Sequence, residues 1–273
     1  MFRGWALTGA LLVVLAAGGC GGDKPAKIEN VSNLQGKVIA SVIPAVPTKH
    51  VEASMEKYIG GKVKEFKFFN KYPDCVLALQ SGKVDAVLTA KFLGDYYVKR
   101  NADLKMISSE PVKVNVVMAV RNEDAQLKDD LDKAIATLGD SGKLKSLEAE
   151  WVTNLPVGNE PANKSADPIP GAKTMYVGLC GDYVPLDYIA ANGRPAGYNV
   201  ALLNEIGKLL GVNFEFVSME SQAKFAALSS KKIDLIFCNL DANTPGLQAL
   251  KDKSWVATRP YYTSEVGCFL VKK

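Results

Sequence analysis

Leu79-Gln80-Ser81-Gly82-Lys83-Val84-Asp85-Ala86-Val87 and Leu228-Ser229-Ser230-Lys231-Lys232-Ile233-Asp234-Leu235-Ile236 follow one pattern. Each reads as a helix end, a polar turn, and an apolar strand opened by an aspartate. Each is preceded by a helical stretch, Asp74 to Leu79 in one case and Gln222 to Leu228 in the other. Apolar strands that follow short helices point to parallel sheets covered on both faces. Two such matches with similar flanks predict two α/β lobes of related design.

Working outward from the first match, Lys37 to Ile43 reads as a strand. Thr48 is placed to cap a helix whose Val51, Met55 and Ile59 share one face and which Gly60-Gly61 ends. Val63 to Phe69 and Val84 to Thr89 read as strands, Leu93 to Arg100 as a helix, and Leu104 to Ile107 and Val114 to Val120 as further strands. Helices over Leu127 to Leu138 and Gly142 to Trp151 follow, broken at Asp140-Ser141-Gly142. Residues 156–172 hold four prolines and two glycines and read as a linker. Around the second match, Met175 to Leu179 is a strand and Asn192-Gly193 a hairpin turn. Asn199 to Leu210 is an amphipathic helix ended by Gly211. Asn213 to Val217 and Ile233 to Cys238 are strands, and Val266 to Val271 reads as one closing strand.

The N-terminus has another character. Arg3 precedes an apolar run from Trp5 to Ala17, shorter than the roughly 20 residues a membrane span needs. Residues 1–19 are therefore expected to be a secretory signal. Ala17-Gly18-Gly19-Cys20 resembles a lipobox, with Cys20 as the lipidated residue, although Ala17 stands where leucine is more usual. Residues 20–33 would be the tether. The 273 residues carry a net charge of only +4, with no basic stripe interleaved with aromatics, so a nucleic-acid partner is not expected. His50 is the only histidine, which argues against a histidine metal site or a catalytic triad, and the cysteine spacing matches no zinc motif. No cofactor is expected.

Gly178 to Leu186, then Asn192-Gly193-Arg194-Pro195-Ala196-Gly197-Tyr198-Asn199-Val200, resembles the opening of the family 3 solute-binding proteins, the amino-acid-binding components of ABC importers. The similarity continues through Lys231 to Ile236, Thr244-Pro245 and Pro260-Tyr261-Tyr262. The later half of that family is similar to Leu34-Gln35-Gly36-Lys37-Val38-Ile39, Leu79 to Val87, and Gly142-Lys143-Leu144 to Glu150-Trp151. Those two parts stand here in reverse order. The resemblance implies a two-lobed type II periplasmic-binding-protein fold of α/β class, circularly permuted. Residues 34–111 would form lobe 2, and 112–155 would return to lobe 1. Residues 156–172 would be the permutation linker, and 173–273 the lobe 1 core with the first hinge strand. One hinge crossing would remain covalent near Ile107 to Val117, and the two chain ends would form the other.

The resemblance places a ligand cleft at the strand ends. Candidate ligand-binding residues are Cys180, Asp182, Tyr183, Ser221, Asn239, Leu240, Asp241 and Thr244 from one lobe, and Val46, Pro47, Thr48, Ala90 and Lys91 from the other. Tyr183 matches a ligand-stacking aromatic. Two anchors depart from the family pattern. Leu247 stands where an arginine would grip an α-carboxylate, and Ala90 where an aspartate would receive an α-ammonium. Asp241, Lys91 and Arg259 are the candidate replacements. Cys180 and Cys238 end neighbouring strands and are either bonded or free. The expected function is a lipid-anchored, monomeric binding protein at the periplasm or cell surface. It would deliver a small polar solute, amino-acid-like but not a standard α-amino acid, to ABC transporter membrane subunits. No catalytic residue is expected. A dehydratase-type enzyme using Lys91, Asp241 or Asp182, and a degenerate ligand sensor, are the alternatives.

Overall fold

The aspartates that open the two repeated strands make the same clasp. Asp85 donates its N–H to the Val38 carbonyl at 2.8 Å, while its Oδ2 accepts from the Val38 N–H at 2.8 Å. Asp234 donates to the Tyr176 carbonyl at 2.7 Å, and its Oδ2 accepts from the Tyr176 N–H at 2.8 Å. Each aspartate thus ties the third strand of its lobe to the first. The turn before each clasp passes through the left-handed region, at Gly82 (φ 75°) and at Lys231 (φ 62°).

The computed structural model describes residues 27–44, 47–163, 167–240 and 254–273, and for Asn239 and Leu240 the backbone. The expected signal, Cys20, Val46, Asp241, Thr244 and Leu247 lie outside the described residues. The first segment forms β1 (Val38–Val42), α1 (Thr48–Ile59), β2 (Glu65–Phe69), α2 (Tyr72–Gln80), β3 (Ala86–Thr89), α3 (Lys91–Arg100) and β4 (Leu104–Ile107). It continues with β5 (Val112–Arg121), α4 (Ala125–Asp140) and α5 (Lys143–Glu148), the last extended by one wider helical turn to Thr153. The second segment forms β6 (Thr174–Leu179), β7 (Asp182–Tyr183), β8 (Asp187–Ile189), β9 (Pro195–Ala196), α6 (Tyr198–Leu210), β10 (Asn213–Ser218) and α7 (Lys224–Ser229). It ends with β11 (Leu235–Leu240), β12 (Trp255–Ala257), β13 (Tyr262–Val266) and β14 (Cys268–Lys272).

Two five-stranded paths share one plan. Lobe A runs β2-β1-β3-β14-β4 and lobe B runs β10-β6-β11-β5-β12. In both, the lobe's own strands stand second, first, third and fourth, with a strand from the other segment inserted before the fourth. The first three strands are parallel, and the inserted strand is antiparallel to its neighbours. Central strands are buried on both faces, which is why β5 shows a continuous buried run from Val116 to Arg121. Leu202, Leu203 and Ile206 on α6 and Leu131 and Ile135 on α4 are fully buried in the main core. Each such side chain contributes roughly 1.5–3 kcal/mol.

The end of the chain departs from the expected single strand. β13 pairs with β5 in lobe B, whereas β14 enters lobe A between β3 and β4. Gly267 makes the break at φ 81°, and a side chain there would press on the Tyr58 ring at 3.1 Å. Both crossings, β4 to β5 and β13 to β14, are therefore covalent, and the chain ends do not form a hinge crossing. Cys268 to Val271 is buried throughout, so this apolar run completes lobe A rather than ending in lobe B. Thr48 also differs from expectation. It is the first residue of α1, Pro47 takes the cap position, and no side chain caps that helix.

Residues between α5 and β6 are docked, not merely connecting. Glu160 accepts hydrogen bonds from the Tyr96 hydroxyl (2.6 Å) and Arg100 (3.0 Å) of lobe A. Pro161 accepts from the Tyr188 hydroxyl at 2.6 Å, and Asn163 from the Gly197 N–H at 2.8 Å, both in lobe B.

Candidate functional site

Just past the carboxyl end of β6, β7 meets the helix starts of lobe A, and with β13 it makes three contacts there. Asp182 Oδ2 accepts from the Tyr72 N–H at 3.0 Å. This caps α2, whose own cap residue Lys71 offers no side-chain bond. A carboxylate at a helix start satisfies an orphan donor and meets the positive end of the helix dipole. Tyr183 lies edge-on to Phe92 of α3 with ring centroids 5.2 Å apart, and Phe92 also meets Tyr262 of β13 at 6.3 Å. Burial raises the Asp182 carboxyl above its ordinary range, and Asp187 adds to this, against the Tyr72 N–H and Lys71.

Beneath Asp182 lies a polar cluster in lobe B. Asp187 is buried and accepts from the Gly181 N–H (2.9 Å) and the Asn199 amide (3.1 Å). Tyr261 donates to Asn199 Oδ1 at 2.8 Å, and Tyr198 donates to the Tyr261 carbonyl at 3.2 Å. Lys224 donates to the Phe237 carbonyl at 3.0 Å. Burial alone would lower the Lys224 ammonium, but Cys180, Asp187 and Cys238 outweigh it and hold it above its ordinary range. Burial raises Asp187 as well, opposed by Lys224 and its own donors.

The expected site residues are distributed as follows. Cys180, Asp182 and Tyr183 lie together at the lobe B strand ends, with Cys180 half-buried. Ser221 begins a single turn between β10 and α7, and Asn239 and Leu240 end β11. Pro47 and Thr48 start α1. Ala90 is the buried cap residue of α3. Lys91 is paired with Asp95 at 2.6 Å on the same helix. It lines a cavity of about 480 Å³ with Phe92, Asp95, Tyr262 and Glu265 beside β13. Arg259 is exposed, and its backbone N–H donates to Asp132 of α4 at 2.6 Å. All four described cysteines, Cys180 and Cys238 included, are free thiols.

Sequence reading passed over Tyr72, Phe92, Asp187, Asn199 and Lys224. Lys224 and Tyr72 each stand at a helix start, where their types alone carry no signal. Asn199 falls within a stretch that carried the resemblance and Asp187 directly follows one, but their mutual bond is set by the fold.

Residues 175–273 match the bacterial extracellular solute-binding proteins, family 3. Over those residues the chain is similar to that family. A probable amino-acid ABC transporter-binding protein of Haemophilus influenzae is 30% identical over 37% of this chain and 37% of its own. The arginine-binding extracellular protein ArtP of Bacillus subtilis is 24% identical over 48% of this chain and 50% of its own. The L-cystine-binding protein TcyJ of Escherichia coli is 29% identical over 37% and 35%. The chain spans about a third to a half of the length of the curated relatives it matches. Among solved structures, an ancestral arginine-binding protein bound to arginine is 16% identical, covering 88% of this chain and 86% of that one, with a TM-score of 0.43. A putative L-cystine ABC transporter from Listeria monocytogenes is 13% identical over 88% and 83%, with a TM-score of 0.42. The chain is a two-lobed α/β protein whose lobes meet at Asp182, Tyr183, Tyr72 and Phe92.

Proposed function

We propose that the chain is the substrate-binding component of an ABC importer and closes its two lobes on a small polar, amino-acid-like solute. The observation that carries this reading is the pair of covalent strand crossings joining two lobes of one plan, with β7 of lobe B meeting the helix starts of lobe A. Two lobes on two strands can rotate as rigid bodies around a ligand. The named relatives support the amino-acid class. The leucine and alanine at positions 247 and 90 argue for a ligand other than a standard α-amino acid. Anchoring through Cys20 at the periplasm or cell surface, a monomeric state, and delivery to membrane subunits complete the proposal.

Circular permutation belongs to the same reading. The family match lies in the second half of the chain, and β14 leads out of lobe A at the edge where β1 begins, with β3 between them. Joining Lys273 to the residues before β1 and opening the chain within 156–172 restores the unpermuted order. That variant should fold to the same stability and bind the same ligand, and failure to fold would sink the permutation.

Two measurements test the function. Mass spectrometry of small molecules released from the purified protein should reveal one bound polar solute. Calorimetric titration with the common amino acids should give weak or no binding. Several submicromolar affinities would overturn the ligand class, and no contraction in solution scattering with any solute would overturn the binding function.

A further inference from the structure

Two thiols and one ammonium meet at the lobe B strand ends. β6 and β11 are parallel neighbours, with Leu235 opposite Val177 and Ile236 opposite Gly178. Carrying that register two residues on sets Cys238 opposite Cys180. Directly opposed residues on adjacent strands lie about 4.8 Å apart, inside the roughly 4.4–6.8 Å span that a disulfide bridges. Lys224 acts electrostatically on both thiols and donates to the carbonyl of Phe237, the residue before Cys238, at 3.0 Å. Cys180 and Cys238 are half-buried, whereas Cys75 and Cys268 are buried.

We propose that Cys180 and Cys238 form a redox-active dithiol that undergoes exchange with small disulfides, an activity separate from solute capture. The Cys180 thiolate, steadied by the Lys224 ammonium, attacks one sulfur of a small disulfide. The disulfide's S–S bond breaks, and the first small thiolate leaves and takes up a proton. Cys238 then loses its proton and attacks the Cys180 sulfur of the mixed disulfide, releasing the second small thiol. The protein dithiol is oxidised to a disulfide, and the small disulfide is reduced to two thiols, the two protons coming from the cysteines.

The groups facing the pair set its pH dependence. Burial raises the Cys180 thiol, opposed by Lys224 and reinforced by Asp187 and Asp182. Burial pushes Cys238 up to about 12, again opposed by Lys224; the buried Tyr261 phenol lies within its field. The pair therefore rests protonated, and exchange should still be accelerating above about pH 8.5, where an ordinary free thiol is half ionised.

The test uses the reduced full chain, oxidised glutathione as probe, intact mass and peptide mapping. The expected product has lost two hydrogens, links the peptides of Cys180 and Cys238, and keeps Cys75 and Cys268 as free thiols. Cys238→Ser should stop at a single glutathione adduct on Cys180. Lys224→Met should slow the first step about three- to tenfold at fixed pH, and Lys224→Arg should restore it. Free thiols at both Cys180 and Cys238 in the wild-type chain above pH 9, or a bridge to Cys75 or Cys268, would overturn the proposal. If Lys224→Met does not fold, the wild-type map and the Cys238→Ser adduct still decide it. Mapping needs no solute, so its failure is distinguishable from failure of the binding reading.

Discussion

Asp182 of lobe B accepts a hydrogen bond at 3.0 Å from the N–H of Tyr72, the first residue of α2 in lobe A. One carboxylate therefore serves as a helix cap and as a lobe-to-lobe contact. Asp182→Ala should cost about 1 kcal/mol, the usual cost of losing a helix cap. It should also raise the radius of gyration in scattering as the lobes part. Unchanged scattering would confine Asp182 to a capping role.

Asp182 and Glu160 should respond to pH with opposite sign. Burial raises the folded Asp182 carboxyl, so its contribution falls as pH rises from the ordinary aspartate range through the raised value. Glu160 is lowered; burial would raise it, but Tyr96, backbone N–H groups and Arg100 prevail. Its contribution is present above about pH 4.3 and is lost as pH falls through the folded value. Denaturant unfolding at several pH values should show Asp182→Asn removing the first trend and Glu160→Gln the second.

Phe92 is buried and touches both Tyr183 and Tyr262. Phe92→Ala should cost about 3 kcal/mol, at the lower end for a buried phenylalanine, and Phe92→Leu much less. Chemical denaturation measures the cost. Equal effects of the two variants would show that the ring contacts contribute little.

The two aspartate clasps should differ in strength. Asp85→Ala removes one bond to the Val38 N–H, at about 1–3 kcal/mol for the stranded donor. Asp234 also pairs with Arg121 at 3.0 Å, and that guanidinium is buried and donates to the Leu228 and Ile233 carbonyls. Breaking such a pair costs about 3–5 kcal/mol, so Asp234→Ala should be the more damaging by equilibrium unfolding.

Lys231 is the only described non-glycine residue with positive φ, at the position Gly82 fills in the other lobe. Lys231→Gly relieves a left-handed conformation worth about 1–2 kcal/mol but adds chain entropy in the unfolded state. Its exposed pair with Glu123 is worth little. A net gain of about 0.5–1 kcal/mol is expected, and a melting temperature unchanged or lowered would contradict it.

The repeated Leu-to-Ile pattern, the apolar faces of α4 and α6 and the linker composition were legible because each is a local period or a local turn. They pointed to two α/β lobes and to one passage between them, near Ile107 to Val117. Part of the site was legible too, since Cys180, Asp182 and Tyr183 follow directly from a strand end. Tertiary structure alone decided that Gly267 splits the last apolar run between two sheets, that Asp182 finds Tyr72, and that Lys224 sits under two thiols. It also placed Lys91 on Asp95 and docked Glu160 on Tyr96. A strand's period records that it is buried but not which sheet buries it. A charged side chain's partner, 110 residues away for Asp182 and Tyr72, is set by packing that no local pattern records.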